Sequence, residues 1–239
     1  MTNIIISMIA AAIVLFVFLY YEWKERYLHA FFFKGLSSLF FFIFLLMSFL
    51  FYLLEPRVTL SIITYERFFV YIGIGLGFGF LGDLVLALRS LLPKDKNNKI
   101  IMLGTMSFLF GHLFYIRAMI EYIPFSWYPL FFSVVVTTLI FLFAKKIHTK
   151  FGTLLIPSVV YSFILFFFVG QILFGFSHLT DAPFRITILI GSILFAVSDL
   201  ILSQIYYNNK ETKGFKTLNL VTYYLAQYLI ALSLFFMVI

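Results

Sequence analysis

The sequence predicts an all-α, polytopic integral membrane protein with eight transmembrane helices, and three observations carry that prediction. Apolar residues make up 63% of the 239 positions and charged residues 11%, where a soluble domain carries about 45–50% and about 25%. The apolar residues fall into eight long blocks separated by short polar loops. Within each block they run continuously rather than alternating, which points to helices and away from a membrane β-barrel. The whole chain, 1–239, reads as a single membrane domain.

A bilayer core needs about 20 apolar residues per helix, and the blocks are taken in order. The first span, 4–20, lies in MTNIIISMIAAAIVLFVFLYYEW. No basic residue precedes its apolar run and no small-residue cleavage pattern follows, so it is expected to be a retained span rather than a signal peptide. The second, 35–54, is rich in phenylalanine, and the 35 phenylalanines of the chain read as lipid-facing filler. The third, 68–91, carries Gly73, Gly75, Gly77, Gly79 and Gly82. Their spacing is not that of a phosphate-binding loop and no strand precedes them. They read as small residues that let a helix pack closely, with Gly75, Gly79 and Gly82 near Asp83 on one face. The fourth and fifth are 100–120 and 127–144. The sixth, 153–175, has Pro157 near its start, where a kink is expected. The seventh and eighth are 184–207 and 216–238. Pro56, Pro93, Pro124, Pro129 and Pro183 fall in loops or at span ends, where a missing N–H costs little.

The charges set an orientation. Lys24, Arg26 and Lys34 flank the first loop, Arg89, Lys94, Lys96 and Lys99 the third, Lys145, Lys146 and Lys150 the fifth, and Lys210, Lys213 and Lys216 the seventh: 13 cations. The other side has four, Arg57, Arg67, Arg117 and Arg185. Odd-numbered loops are therefore expected in the cytoplasm and both termini outside; in a bacterium the membrane would be the cytoplasmic one. The net charge of +7 is explained by these loops, so nucleic acid is not an expected partner. With no cysteine, disulfides, thiolate nucleophiles and cysteine-held metals are excluded.

Most acids and histidines read as loop residues: Glu22, Glu25, Glu55, Glu66, Asp95, Glu121, Asp181, Glu211, His29, His148 and His178. Asp83 (GFLGDLVLAL), Asp199 (LFAVSDLILS) and His112 (FLFGHLFYI) stand inside spans three, seven and four. A carboxylate at membrane depth costs at least about 2.5–3.5 kcal/mol, so two of them need a reason. Spans three and seven run in the same direction, and each Asp lies eight residues before its span's end, about 12 Å from the surface at 1.5 Å per residue. His112, Tyr224 and Gln227 fall at a similar depth. A polar chamber in the inner half of the membrane, built on two facing carboxyls, is the expectation.

The segments FGFLGDLVLAL and LFAVSDLILSQ are alike, and FLFGHLFYI and YYLAQYLIAL follow them at similar distances. Two four-helix parallel repeats, 1–122 and 123–239, are the resulting hypothesis.

The order GDLVL, SFLFGHLFYI, GSILFAVSDLIL and VTYYLAQYLIAL also resembles the YhhN-type family, the lysoplasmalogenase-like membrane proteins. The resemblance implies an eight-helix fold and hydrolysis of the vinyl ether bond of lysoplasmalogens, giving a fatty aldehyde and a glycerophospho-ethanolamine or -choline. It implies Asp83 and Asp199 as catalytic residues, and His112, Tyr115, Tyr161, Tyr224 and Gln227 as substrate-binding or supporting ones. No metal or other cofactor is implied, and the expected partners are the lysophospholipid and the surrounding lipids.

That chemistry suits the residues. Vinyl ethers resist base and yield to acid, through an oxocarbenium ion. A buried carboxyl pair can hold one proton, with one member as acid and the other beside the developing cation, as in glycoside hydrolysis. A lipid or proton-coupled carrier using the same acids is the alternative, and a structural or lipid-sensing protein is the third class.

Overall fold

The computed structural model describes residues 2–54, 62–179 and 181–237. Glu55, Pro56 and Arg57, on which part of the loop reading rests, lie outside the described residues. Eight helices are long and apolar enough to cross a membrane: α1 (Thr2–Trp23), α2 (Tyr27–Leu54), α3 (Ile62–Ala87), α4 (Asn97–Ile120), α5 (Tyr128–Lys146), α6 (Leu155–Phe174), α7 (Ala182–Tyr207) and α8 (Lys213–Ser233). Among the described residues there is no strand. The protein is a multi-pass membrane protein.

Seven spans agree with the sequence to within about six residues at each end. The second differs more: α2 begins at Tyr27, eight residues before the predicted start. Lys34 had marked the end of a loop in the sequence. It lies inside the helix instead and is 9% exposed, because a charge inside the fold compensates it. His29 and Glu66, read as loop residues, are exposed residues near the starts of α2 and α3. Pro157 does not interrupt α6. It is the third residue of the helix, a position whose N–H has no partner within the helix in any case.

Three tight connections at one end of the bundle, 24–26, 147–154 and 208–212, each contain a left-handed residue: Glu25 (φ 55°), His148 (φ 55°) and Asn209 (φ 54°). Asparagine tolerates that conformation well, which lets the 208–212 connection turn within five residues. This end is called the odd-loop face below.

The helices pair in a pattern that occurs twice. α1 packs on α2 and α3 on α4; α5 packs on α6 and α7 on α8. The halves meet crosswise, α4 on α6 and α2 on α8.

Glycines bring α3 and α4 close. A Cβ on Gly111 would lie 2.9 Å from the carbonyl oxygen of Gly75, and one on Gly75 would lie 2.3 Å from the Tyr115 ring. The phenylalanines divide into two populations. Phe16, Phe32 and Phe131 face outward, whereas Phe41, Phe44, Phe168 and Phe195 are buried. The filler reading therefore holds for one population and fails for the other. Phe41, Phe108 and Phe195 pack edge-on against Tyr223, and Phe168 and Phe195 against His112. Sequence does not separate the two, because hydrocarbon outside and core inside are equally apolar.

Candidate functional site

Asp83, on α3, is 2% exposed. Its Oδ2 accepts hydrogen bonds from the hydroxyls of Ser38 at 2.6 Å and Tyr223 at 2.8 Å. Lys34 Nζ lies 3.5 Å from Oδ1. Lys34 and Ser38 are four residues apart on α2, so one face of that helix presents both. Tyr224 OH lies 3.1 Å from both Ser38 Oγ and the Lys34 carbonyl oxygen. Gln227, one turn beyond Tyr223, donates to its hydroxyl at 3.3 Å and accepts from Tyr115 OH at 2.8 Å. A Cβ on Gly79 would lie 2.6 Å from Gln227 Nε2, so the glycine makes room for this amide. The chain Tyr115–Gln227–Tyr223–Asp83 joins α4, α8 and α3.

Asp199, on α7, is partly buried and accepts a hydrogen bond from Tyr161 OH of α6. Among the described residues no lysine or arginine lies within ion-pair distance of it. Its helix is fixed to α8 by its neighbour. The Asn219 amide donates to both the carbonyl oxygen and Oγ of Ser198 at 2.9 Å, and Ser198 Oγ donates to the Asn219 carbonyl at 3.1 Å. His112 is buried. Its Nδ1 bonds the Phe108 carbonyl at 2.8 Å and therefore carries the proton, which leaves Nε2 as an unpartnered acceptor. Its ring meets those of Tyr115 and Tyr161.

All seven residues singled out in the sequence thus lie in one region. The two carboxyls are not joined directly through a common partner, as a shared proton would require. Asp83 is bonded from α2 and α8, and Asp199 from α6. What joins them is space. A cavity of about 100 Å³ is lined by both, together with Lys34, Phe108 and Tyr223, and has room for several water molecules. At the odd-loop face its wall is made by Glu22, Arg89, Glu211 and Lys216. A second cavity, about 570 Å³, runs between α5, α6 and α7 among mainly apolar side chains such as Leu139, Phe143, Leu165 and Leu200. Asp199 and Phe108 line both.

Sequence reasoning had missed Lys34, Ser38 and Tyr223. The four-residue spacings Lys34–Ser38 and Tyr223–Gln227 are the signal that could have found them: each places two polar groups on one face of an apolar helix. From the sequence, Arg89 and the third-loop lysines are cations that could meet a lipid phosphate at the surface but read more simply as topology signals; the meeting of Arg89 with Glu22, Glu211 and Lys216 is not legible there. Arg89 donates to Oε1 and Oε2 of Glu211, both at 3.2 Å. Lys216 reaches Glu211 at 3.0 Å and Glu22 at 3.4 Å. Burial pushes the Glu211 carboxyl up, but the hydrogen bonds from Arg89 and Lys216 outweigh it and hold the group below its ordinary value.

No curated protein and no solved structure matches the chain. A family model described as the YhhN family matches residues 29–234, an interval that runs from the first turn of α2 to the end of α8 and takes in both carboxyls and all their partners; of the residues named at the mouth, Glu22 lies before it. The chain belongs to the YhhN family.

Proposed function

We propose that the protein is an intramembrane hydrolase that cleaves the vinyl ether bond of a lysoplasmalogen-type lipid. The observation that carries this reading is the position of Asp199 at the junction of a polar and an apolar cavity, with a second, differently bonded carboxyl across the polar one. A single-chain ether lipid would lie with its chain in the apolar cavity and its headgroup toward the odd-loop face, and its scissile bond would come between them. We place that face in the cytoplasm, following the distribution of lysine and arginine.

The roles follow from the partners. Asp83 faces the Lys34 ammonium and the hydroxyls of Ser38 and Tyr223, partners that favour the carboxylate against the cost of its burial. Asp199 has a phenol for a partner and no ion pair, a setting that suits a carboxylic acid. Asp199 gives its proton to the β-carbon of the vinyl ether, and the Asp83 carboxylate stabilises the oxocarbenium ion that forms. Water from the polar cavity adds to the cationic carbon, and its proton returns to Asp199. The hemiacetal then collapses to a fatty aldehyde and the free glycerol hydroxyl. Lys34, Ser38 and Tyr223 position Asp83; Tyr161 positions Asp199.

The carrier reading requires access to the acids from both faces. The lining residues of both cavities lie mostly in the odd-loop half of the helices, reaching just past the middle of α6 at Leu165 and Phe166, which favours the enzyme. The test is aldehyde release from a lysoplasmalogen by the purified protein. Asp83→Asn and Asp199→Asn are each expected to abolish release while the protein stays folded. Full activity in either variant rejects the acid-pair mechanism.

A further inference from the structure

The ion cluster at the cavity mouth has the form of an occupied anion site. Arg89 points two parallel N–H groups at the two oxygens of Glu211, at 3.2 Å each, and Lys216 adds a third contact at 3.0 Å. A forked guanidinium plus a point-charge ammonium is the donor set that recognises a phosphate. The two cations are fixed. Arg89 stacks over the Tyr206 ring at 4.8 Å, and Lys216 is also held by Glu22. Their side chains are 19% and 22% exposed. The anion is less fixed: Glu211 is 40% exposed and rides on the short 208–212 connection rather than on a helix. All four residues line the cavity that holds Asp83 and Asp199.

We propose that Arg89 and Lys216 form a phosphate-binding site at the cavity mouth, and that Glu211 is a built-in stand-in which the phosphate displaces. The lipid origin of that phosphate rests on the functional reading above; the site itself does not. An incoming phosphate replaces one anion by another, so neither cation is left unpaired in a partly buried position. The released Glu211 moves into water with its loop. Glu211 thereby acts as a competitive plug, and its removal strengthens binding.

The experiment is equilibrium binding to the full-length protein in detergent. The probes are a saturated 1-O-alkyl-glycerophosphoethanolamine, which has no vinyl ether to cleave, and the 1-O-alkylglycerol of the same chain length. The wild type is expected to bind the phosphorylated probe about tenfold tighter, as one or two charge-assisted hydrogen bonds would give. R89Q is expected to lose that preference. E211Q is expected to bind the phosphorylated probe several-fold tighter, with the alkylglycerol unchanged. A separate arm adds inorganic phosphate. Competition that depends on Arg89 assigns the site to phosphate from either source; an Arg89-dependent lipid preference without competition assigns it to a headgroup alone. Weaker binding in E211Q, or an unchanged preference in both R89Q and K216Q, overturns the proposal. E211Q keeps it testable if R89Q fails to fold. Arg89-dependent binding of the saturated probe by a protein that releases no aldehyde from a lysoplasmalogen in the separate assay would reject the hydrolase and leave this site standing.

Discussion

Replacing Lys34 by methionine removes the ammonium that faces Asp83 and keeps most of the volume. At 3.5 Å and an effective dielectric constant of about 20, the pair interacts by about 5 kcal/mol. Breaking a buried pair from one side costs roughly 3–5 kcal/mol, because the other charge is left uncompensated. Ser38 and Tyr223 still bond the carboxylate in K34M, so a cost near the lower end, about 3 kcal/mol, is expected. D83N strands the ammonium instead and is expected to cost a similar amount. The double variant K34M/D83N strands neither. Its cost should fall short of the sum of the two single costs by about 2–3 kcal/mol, the upper range of measured couplings. Unfolding of the four proteins in mild detergent, followed by fluorescence, measures the cycle. Costs that add to within about 0.5 kcal/mol would show that Lys34 and Asp83 do not act as an ion pair, and would remove the reason for treating Asp83 as the standing anion of the site.

Two further outcomes are expected. In Gly79→Ala the new methyl group would lie 2.6 Å from Gln227 Nε2, so Gln227 must move and release Tyr223. A stability loss of about 1–3 kcal/mol is expected from overpacking, together with a fall in aldehyde release; unchanged activity would show that the Tyr115–Gln227–Tyr223 chain is dispensable. For Glu211, whose carboxyl is held below its ordinary value of 4.5, the sign is that of a paired acid. Its contribution to stability is fully present above that ordinary value and is lost as pH falls through the lower folded one. A thermal-unfolding series into that acid range should therefore show a decline in the wild type that is smaller in E211Q, and parallel curves would refute it.

The spans were legible because the bilayer demands long apolar runs. Asp83, Asp199 and His112 were legible because a charge or imidazole in such a run is costly without a purpose. Their common depth was legible from helix rise alone. Lys34 was not: it stands next to a loop-like cluster of cations, and its burial becomes visible once Asp83 is known to sit beside it. Tyr223 was hidden among the other aromatic residues of an aromatic-rich chain, and nothing local separates it from Tyr224. The expectation of two carboxyls sharing one proton came from matching their depths, and depth says nothing about which way each side chain is bonded. The mouth cluster draws on Glu22, Arg89, Glu211 and Lys216, four residues spread over most of the chain, whose meeting depends on packing that no single segment encodes.

The bonding of Asp83 has a consequence for biogenesis. Its partners come from α2, made early, and from α8, made after the other seven helices. A ribosome that has delivered α1 to α7 has inserted an acid whose phenolic donor is still in the exit tunnel. Assembly of the site therefore waits for α8, and a nascent chain truncated before residue 213 exposes an incompletely bonded carboxylate and the α2 face that α8 covers, a mark by which cellular proteolysis tells unfinished molecules from finished ones.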